Sequence, residues 1–253
     1  GPQPKVVRAI QSSTSPDFAH WSPPVPNEDA DPYHDMQLYT NAALPCPGAE
    51  HLYLAFPNRY VQDRCVDPAH PHPGANDALF MSSRDGVHWR RFAEAWVRPG
   101  LDPRNWTERN NYPCWGIVGT SDTEWSMYIT AHYRHPGTPT RVDRLAVRPR
   151  GFVSVRAGYA GGQLLTRPLT FSGGRLHLNL ATSAAGWIRV QVQDLAGQPL
   201  PGLGLEDAEP LFGDSIDTVA RWRAAGDLAA VAGRPVRLLV ELRDADLFAL
   251  RFA

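Results

Sequence analysis

Polar and apolar residues alternate strictly in the stretch Arg175-Leu176-His177-Leu178-Asn179-Leu180. Successive side chains of a β-strand point to opposite faces of the sheet, so this pattern predicts a strand with one buried and one solvated face. Residues 187–193 repeat the pattern, and turn signals such as Gly161-Gly162 separate further strand-length runs. Six or seven such strands in one segment predict a β-sandwich over residues 150–253.

The first part of the chain has a different texture. Proline-rich loops occupy residues 22–32 and 67–74, where each proline removes a backbone donor and restricts the residue before it. The apolar runs between the loops are short, and none keeps a helical period for three turns. We therefore predict an all-β chain whose two regions meet near residues 145–152, with domains at 1–149 and 150–253.

Composition excludes several classes of protein. The 253 residues contain 25 basic and 26 acidic side chains, a formal net charge of −1, which argues against a surface built for nucleic acid or anionic lipid. No apolar run approaches the roughly 18 residues of a membrane span. We predict no nucleic-acid and no membrane partner. Because residues 1–10 show no apolar run, no signal peptide is visible, although we expect a secreted or periplasmic protein.

The three cysteines, Cys46, Cys65 and Cys114, are an odd number without metal-ligand spacing. They fit one disulfide plus a free thiol, or equally three reduced thiols. The sequence also lacks a glycine-rich phosphate loop and a nucleophile elbow. We predict neither a metal site nor a cofactor.

The sharpest local motif is Ser83-Arg84-Asp85-Gly86-Val87-His88-Trp89. Asp-Gly between two strands predicts a tight turn in which the aspartate binds backbone amides and the glycine takes a positive φ. The motif resembles the aspartate box, S-x-D-x-G-x-x-W, of sialidase-type β-propellers. A weaker copy that lacks the glycine occupies residues 15–21. The two copies suggest repeated blades, in which such turns are structural rather than substrate-binding.

The wider sequence resembles bacterial glycoside-hydrolase-like proteins that join a five-bladed β-propeller to a C-terminal β-sandwich, as in families 32, 43 and 68. The resemblance rests on residues 34–41 with 53–60, 77–89 with 98–111, and 151–167 with 244–248. It implies a partial or compact propeller-like region at 1–149, equivalent to the last two or three blades. The family's nucleophile motif is absent, so its catalytic residues have no counterparts here. We therefore expect a fragment, a subunit that completes its propeller by association, or a shortened relative with a different fold in its first half.

Three polar-aromatic groups are candidates for a sugar-facing cleft. Alternation from Glu124 places Tyr128 and His132 on one strand face. The other two groups combine His34 and Asp35 with Tyr39, and Trp106 with Glu108 and Arg109. Each alone also fits a structural ion pair or turn, but aromatic rings stack on sugars while carboxylates bind hydroxyls. We predict Glu124, Glu108 and Asp35 as catalytic carboxylates, and His132, Tyr128, Tyr39, Arg109, Trp106 and His34 as substrate-binding residues.

The resemblance and these groups together predict a carbohydrate-active protein. The first hypothesis is a glycoside hydrolase or a glycosidase-derived fragment acting on poly- or oligosaccharide. The alternative is a non-catalytic glycan-binding or assembly module, and a third reading is an interaction domain without a sugar ligand. A partial propeller exposes strand edges, so we also expect a homodimer through residues 1–149, with Trp106, Trp115 and Trp125 as anchors.

Overall fold

A computed structural model describes residues 8–29, 37–62, 64, 68 and 74–253. The structure is 3% helical and 50% strand, which confirms the all-β class. The chain forms two compact units, Gly1–Val147 and Arg148–Ala253. Within the described ranges no helix is long and apolar enough to cross a membrane. One sheet curls into a half-barrel, while the division into propeller blades and a sandwich stays a prediction.

The described residues of the first unit form three separate sheets of very different size. A two-stranded sheet pairs β1 (Gln11–Ser12) with β2 (Val25–Pro26). The largest sheet has seven strands: β3 (Glu28–Asp29), β4 (Gln37–Tyr39), β5 (Leu44–Cys46), β6 (Ala49–Ala55), β7 (Asn58–Val61), β8 (Ala75–Ser83) and β9 (His88–Val97). The third sheet is three-stranded and antiparallel, with β11 (Glu124–Ala131) between β10 (Val118–Ser121) and β12 (Arg141–Val147).

Strand β8 organises the seven-stranded sheet. It pairs with β9 along one edge and with β6 and then β7 along the other, and β7 in turn pairs with β4. Leu79 and Met81 of β8 are buried with Leu38, Ala55 and Trp89 in one apolar cluster. Alternation along β8 thus directs one set of side chains into this core.

The second unit is built on one five-stranded antiparallel sheet. Its strands are β13 (Val155–Ala157), β14 (Gly162–Leu165), β15 (Leu176–Gln193), β16 (Asp214–Val219) and β17 (Arg237–Phe252). The alternating stretches 175–180 and 187–193 belong to a single long strand, β15, which is interrupted by a register shift between Thr182 and Trp187. The alternating leucine, isoleucine and valine residues of both stretches are buried in the unit's core, as alternation predicts.

The two aspartate-box turns make the same set of hydrogen bonds, each within its own turn. Asp85 Oδ1 accepts the backbone N–H groups of Val87 and His88 at 2.9 and 2.8 Å, and Asp85 Oδ2 lies 2.7 Å from His88 Nδ1. Asp17 repeats all three distances with Ala19 and His20. The predicted echo is therefore a true structural copy, despite its missing glycine.

The two copies differ in the residue that takes the positive φ and in the exposure of the tryptophan. Where the second turn uses Gly86 at φ 78°, the first forces Phe18 to φ 62°. Trp89 is 3% exposed and packs under its turn, whereas Trp21 is 54% exposed. The second copy thus anchors a buried core, and the first presents its aromatic residue to solvent.

We expect the second turn to make stability depend on acidic pH. The backbone N–H of His88 is the chief cause that holds the pKa of Asp85 well below its ordinary value of 3.8, so its stabilisation is complete above pH 4 and is lost as the pH falls further. Asp85→Asn is expected to lower the urea midpoint at pH 6. It should also make that midpoint fall less steeply between pH 4 and pH 2.5 than it does in the unaltered protein. An equally steep decline in the variant would contradict this role, and the exposed Asp122→Asn is the control.

The anchors expected for a homodimer have different environments. Trp125 is buried within its own chain, so it is not available to a second copy. Trp106 and Trp115 are exposed, although each indole N–H donates to a backbone carbonyl of the same chain, Gly100 and Ala43 respectively. The homodimer through residues 1–149 stays a prediction, with Trp125 removed from its contact surface.

Candidate functional site

A pocket of about 400 Å³ opens in the first unit. Its lining is aromatic and polar rather than apolar. Three of the predicted site residues meet in it: Tyr39 and, about 70 positions later in the sequence, the adjacent Glu108 and Arg109. The described lining residues are Arg8, Tyr39, Tyr60, Gly74, Asn76, Glu108, Arg109, Asn110, Tyr112, Tyr133 and Arg134.

Strand pairing builds one wall of the pocket. Tyr39 ends β4, Tyr60 lies on β7 and Asn76 lies near the start of β8. In the sheet register Tyr60 is opposite Asn76, while Tyr39 is opposite Asn58. Neighbouring strands therefore bring together residues that are remote in sequence.

The segment 108–112 supplies the opposite wall and is attached to β11. The Tyr112 backbone N–H donates to Thr130 Oγ1 at 3.0 Å, and the Thr130 N–H donates to the Tyr112 carbonyl at 3.0 Å. These two bonds hold the segment beside the end of β11, from which the chain continues into Tyr133 and Arg134. A polar residue of β11 thus positions the wall without lining the pocket itself.

Tyrosine hydroxyls form a short chain in the pocket. The Tyr39 hydroxyl donates to Asn76 Oδ1 at 2.6 Å, and the Tyr112 hydroxyl lies 3.4 Å from that of Tyr39. The rings of Tyr112 and Tyr133 meet edge to face at 5.1 Å. Burial raises the pKa of both Tyr39 and Tyr112, so both hydroxyls stay protonated at neutral pH and keep donating to Asn76 and to Tyr39 respectively.

Positive charge exceeds negative charge among the described lining residues. Arg8 lies over the Tyr39 ring at 5.5 Å and donates to Gln37 Oε1 at 2.9 Å. Arg134 lies 3.7 Å from Glu108 Oε1. Arg109 is buried and donates through Nη2 to the Gly74 carbonyl at 2.6 Å. The described lining thus contains three guanidinium groups and one carboxylate.

Backbone strain is concentrated beside the pocket. Arg109, His132 and Arg134 have φ values of 58°, 58° and 56°, in the left-handed region that residues other than glycine rarely adopt. At Gly74, with φ 84°, an added Cβ would lie 2.6 Å from the Tyr60 ring. Strain of this kind costs about 1–3 kcal/mol per residue and is common at ligand sites.

His132 supports the bend that carries Tyr133 and Arg134. Its Nε2 lies 2.8 Å from Asp102 Oδ2, and its backbone N–H donates to Asn105 Oδ1 at 2.9 Å. Arg104 also donates twice to Asp102. Hydrogen bonds from Arg104, and then from His132, hold the pKa of Asp102 far below its usual range. His132 is thus buried behind the pocket and does not line it.

The remaining predicted residues are not part of the described pocket lining. Glu124 accepts from Arg144 Nη1 at 2.8 Å and from Thr120 Oγ1 at 3.1 Å, and Arg144 lowers the pKa of its carboxyl. Tyr128 and Trp106 are surface-exposed. Glu124 and Tyr128 do share the polar face of β11, opposite the buried Trp125, Met127 and Ile129. His34 and Asp35 lie outside the described residues.

Sequence reasoning missed several lining residues. Asn110 and Tyr112 directly follow Glu108-Arg109, and Tyr133 directly follows His132. The many polar and aromatic residues over 108–112 could have indicated that the whole segment lines the site. Arg8 carried no signal, because it lies in a loop far from the other lining residues in sequence.

Comparison with known proteins found no relative. No protein-family model matches the chain, no curated protein matches its sequence, and no solved structure matches its fold. The likeness to propeller-and-sandwich glycosidases therefore stays a prediction. In the part of the chain that the structure describes, no group of three or more His, Cys, Asp or Glu side chains is placed to hold a metal ion. Cys114 is a free thiol.

Proposed function

We propose that the protein binds carbohydrate in the pocket lined by Tyr39, Glu108 and Tyr112. The observation that supports this most is the mixture of four tyrosine rings with amide and carboxylate groups in about 400 Å³. Aromatic rings pack against the C–H faces of sugars, and amides, carboxylates and phenols bind the hydroxyl groups. The volume lies at the small end of ligand pockets and suits one or two sugar units.

Binding without turnover is the function that the carboxylates favour. Glycoside hydrolysis generally needs two carboxyl groups about 5–10 Å apart, flanking the scissile bond. Glu108 is the single acidic residue among the described lining residues. Glu124 and Asp102 are held by Arg144 and Arg104 respectively. This distribution supports a glycan-binding module more than a hydrolase.

Hydrolysis is the second candidate, and the burial of Glu108 in the pocket favours it. A buried carboxyl beside a sugar is suited to protonating the leaving oxygen or to activating water. The second carboxyl group is the predicted Asp35, which lies outside the described residues. The aspartate-box turns support descent from a propeller glycosidase under either candidate.

Removing one aromatic wall tests the binding proposal. A glycan array of neutral and acidic mono- and disaccharides would identify ligands, and calorimetry would measure their affinity. We expect Tyr112→Ala to weaken binding at least tenfold, because the ring and its hydroxyl both leave the pocket. Tyr159→Ala, which removes an exposed tyrosine of the second unit, should leave affinity unchanged.

The same assays separate the two candidates. A hydrolase would release reducing sugar from a bound glycan, and Glu108→Gln would abolish that release while retaining binding. A binding module releases no sugar from any glycan that it binds. The absence of binding to every glycan on the array would reject the proposed function.

A further inference from the structure

Arg109 is a buried cation without an acidic partner among the residues that the structure describes. Its side chain is 6% exposed. Its one side-chain hydrogen bond runs from Nη2 to the neutral Gly74 carbonyl, and its Nε is buried without a partner in the described structure. Buried charges are normally paired, because desolvation of a lone charge costs several kcal/mol. This guanidinium lines the pocket, and no described carboxylate lies within ion-pair distance of it.

The described charges of the lining do not compensate for Arg109. Glu108, the one described carboxylate of the lining, lies 3.7 Å from the guanidinium of Arg134. Arg8 adds a third cation over the Tyr39 ring. The described lining therefore carries three positive charges against one negative charge. In a concave site with low-dielectric walls, such an excess attracts an anion.

The protonated tyrosines are compatible with an anion. Burial raises the pKa of Tyr39 and Tyr112, so neither becomes a phenolate that would repel a negative ligand at neutral pH. Their hydroxyl protons are donated to Asn76 and Tyr39 respectively, so the guanidinium groups are the donors left for an anion. Arg109 and Arg134 both have a left-handed backbone conformation. Such a strained conformation persists only where the surrounding structure stabilises it, and it is common at ligand sites.

We propose that the saccharide bound in this pocket is acidic, a uronic acid whose carboxylate is received by Arg109 with Arg8 and Arg134. This inference rests on the proposed function and names its ligand class. A planar carboxylate matches the fork of a guanidinium, which donates two parallel hydrogen bonds to it. The rest of the sugar is left for the tyrosine rings and the amides. Sulfate and phosphate share the oxyanion chemistry, so they are tested separately.

Matched ligands test this proposal on the unaltered protein. Calorimetry would compare glucuronate and galacturonate with their uronamides and with glucose and galactose. We expect each acid to bind at least tenfold more tightly than its amide, and this preference to shrink between 20 and 200 mM salt because screening weakens charge interactions. Equal affinity for acid and amide would overturn the acidic ligand while leaving carbohydrate binding intact.

Inorganic sulfate and phosphate form the second arm. Weak binding of either ion, together with tighter binding of a uronate, would support the proposal. Binding of the ions without any saccharide would overturn the uronic acid and the proposed function together. The two failures are thus distinguishable.

Arginine variants locate the charge that matters. Arg109→Gln should remove the preference for acid over amide, whereas affinity for the amide should change little. Arg141→Gln removes the same charge from an exposed strand position outside the pocket and should keep the preference. Should Arg109→Gln fail to fold in a melting experiment, the more exposed Arg134→Gln should still reduce the preference several-fold. Retention of the full preference in the folded variants would contradict the assignment.

Discussion

Replacement of Asp77 by alanine is expected to lower the free energy of unfolding by about 3–5 kcal/mol, since it removes a carboxylate that accepts two hydrogen bonds from a buried guanidinium. Arg59 is 5% exposed. Its Nε and Nη2 donate to the two carboxylate oxygens of Asp77 at 2.7 and 2.6 Å, and its Nη1 donates to the Ala93 carbonyl at 2.7 Å. The two residues are register partners on β7 and β8, so the ion pair joins both strands.

An exposed ion pair provides the control for Asp77→Ala. Arg141 and Asp143 form a similarly close pair at 2.7 Å, but both side chains are largely solvated. Surface pairs of this kind contribute about 0–1 kcal/mol, so Asp143→Ala should have little effect. Urea denaturation followed by tryptophan fluorescence would measure both variants. A loss below about 1 kcal/mol for Asp77→Ala would show that the buried pair does not stabilise the sheet.

The Arg59–Asp77 pair also connects stability to the pocket. Tyr60 and Asn76, the next register pair along the same two strands, both line it. Any residual folded Asp77→Ala protein should therefore bind saccharide more weakly, because the wall formed by β7 and β8 is loosened. The sheet interior and the binding site are thus supported by the same strand pairing.

Sequence patterns predicted those features of the fold that depend on residues close together in the chain. The alternation at 175–180 and 187–193 is borne out on its apolar face, where the leucine, isoleucine and valine side chains of β15 are buried. The polar face is less solvated than predicted, because Asn179, Gln191 and Gln193 are buried as well. Whether the two stretches form one strand or two depends on pairing with β17, which bridges the register shift after Thr182. That pairing is a long-range contact, and periodicity within β15 contains no information about it.

The hydrogen bonds of the two aspartate turns could also be predicted from the local sequence. The aspartate at 85 and its echo at 17 each organise the same amide and imidazole bonds, as a motif made of adjacent residues allows. The sequence did not reveal that Trp89 is buried and Trp21 is exposed. Burial depends on what packs against the turn, which local residues do not determine.

The candidate site was predictable only in part for the same reason. Tyr39, Glu108 and Arg109 were recognised from residue type, and the structure places them together. Glu124 was chosen by the same reasoning, yet Arg144 binds it across the strand pair β11–β12. Choosing between these carboxylates requires knowledge of which distant arginine lies opposite, and this follows from the register and not from the motif.

The core of the second unit offers the other large effect. Leu242 is 1% exposed and belongs to the buried cluster of this unit. On β17 it lies in register with Ile188 of β15 and with Gly162 of β14, so its side chain is at a place where three strands meet. Leucine-to-alanine changes at such sites cost about 2–5 kcal/mol, from lost burial plus the cavity that remains.

Leu242→Ala is therefore expected to lower the free energy of unfolding of the second unit by about 2–5 kcal/mol. Leu165→Ala should lower it much less. Leu165 lies on β14 of the same sheet and is 46% exposed, so it controls for residue type and secondary structure. Urea denaturation would measure both variants, and amide hydrogen exchange of β15 and β17 would locate the loss. Faster exchange confined to these strands is the expected result, because the cavity lies between them. Equal stability of the two variants would show that the alternating apolar face of β17 is not the core that holds this sheet together.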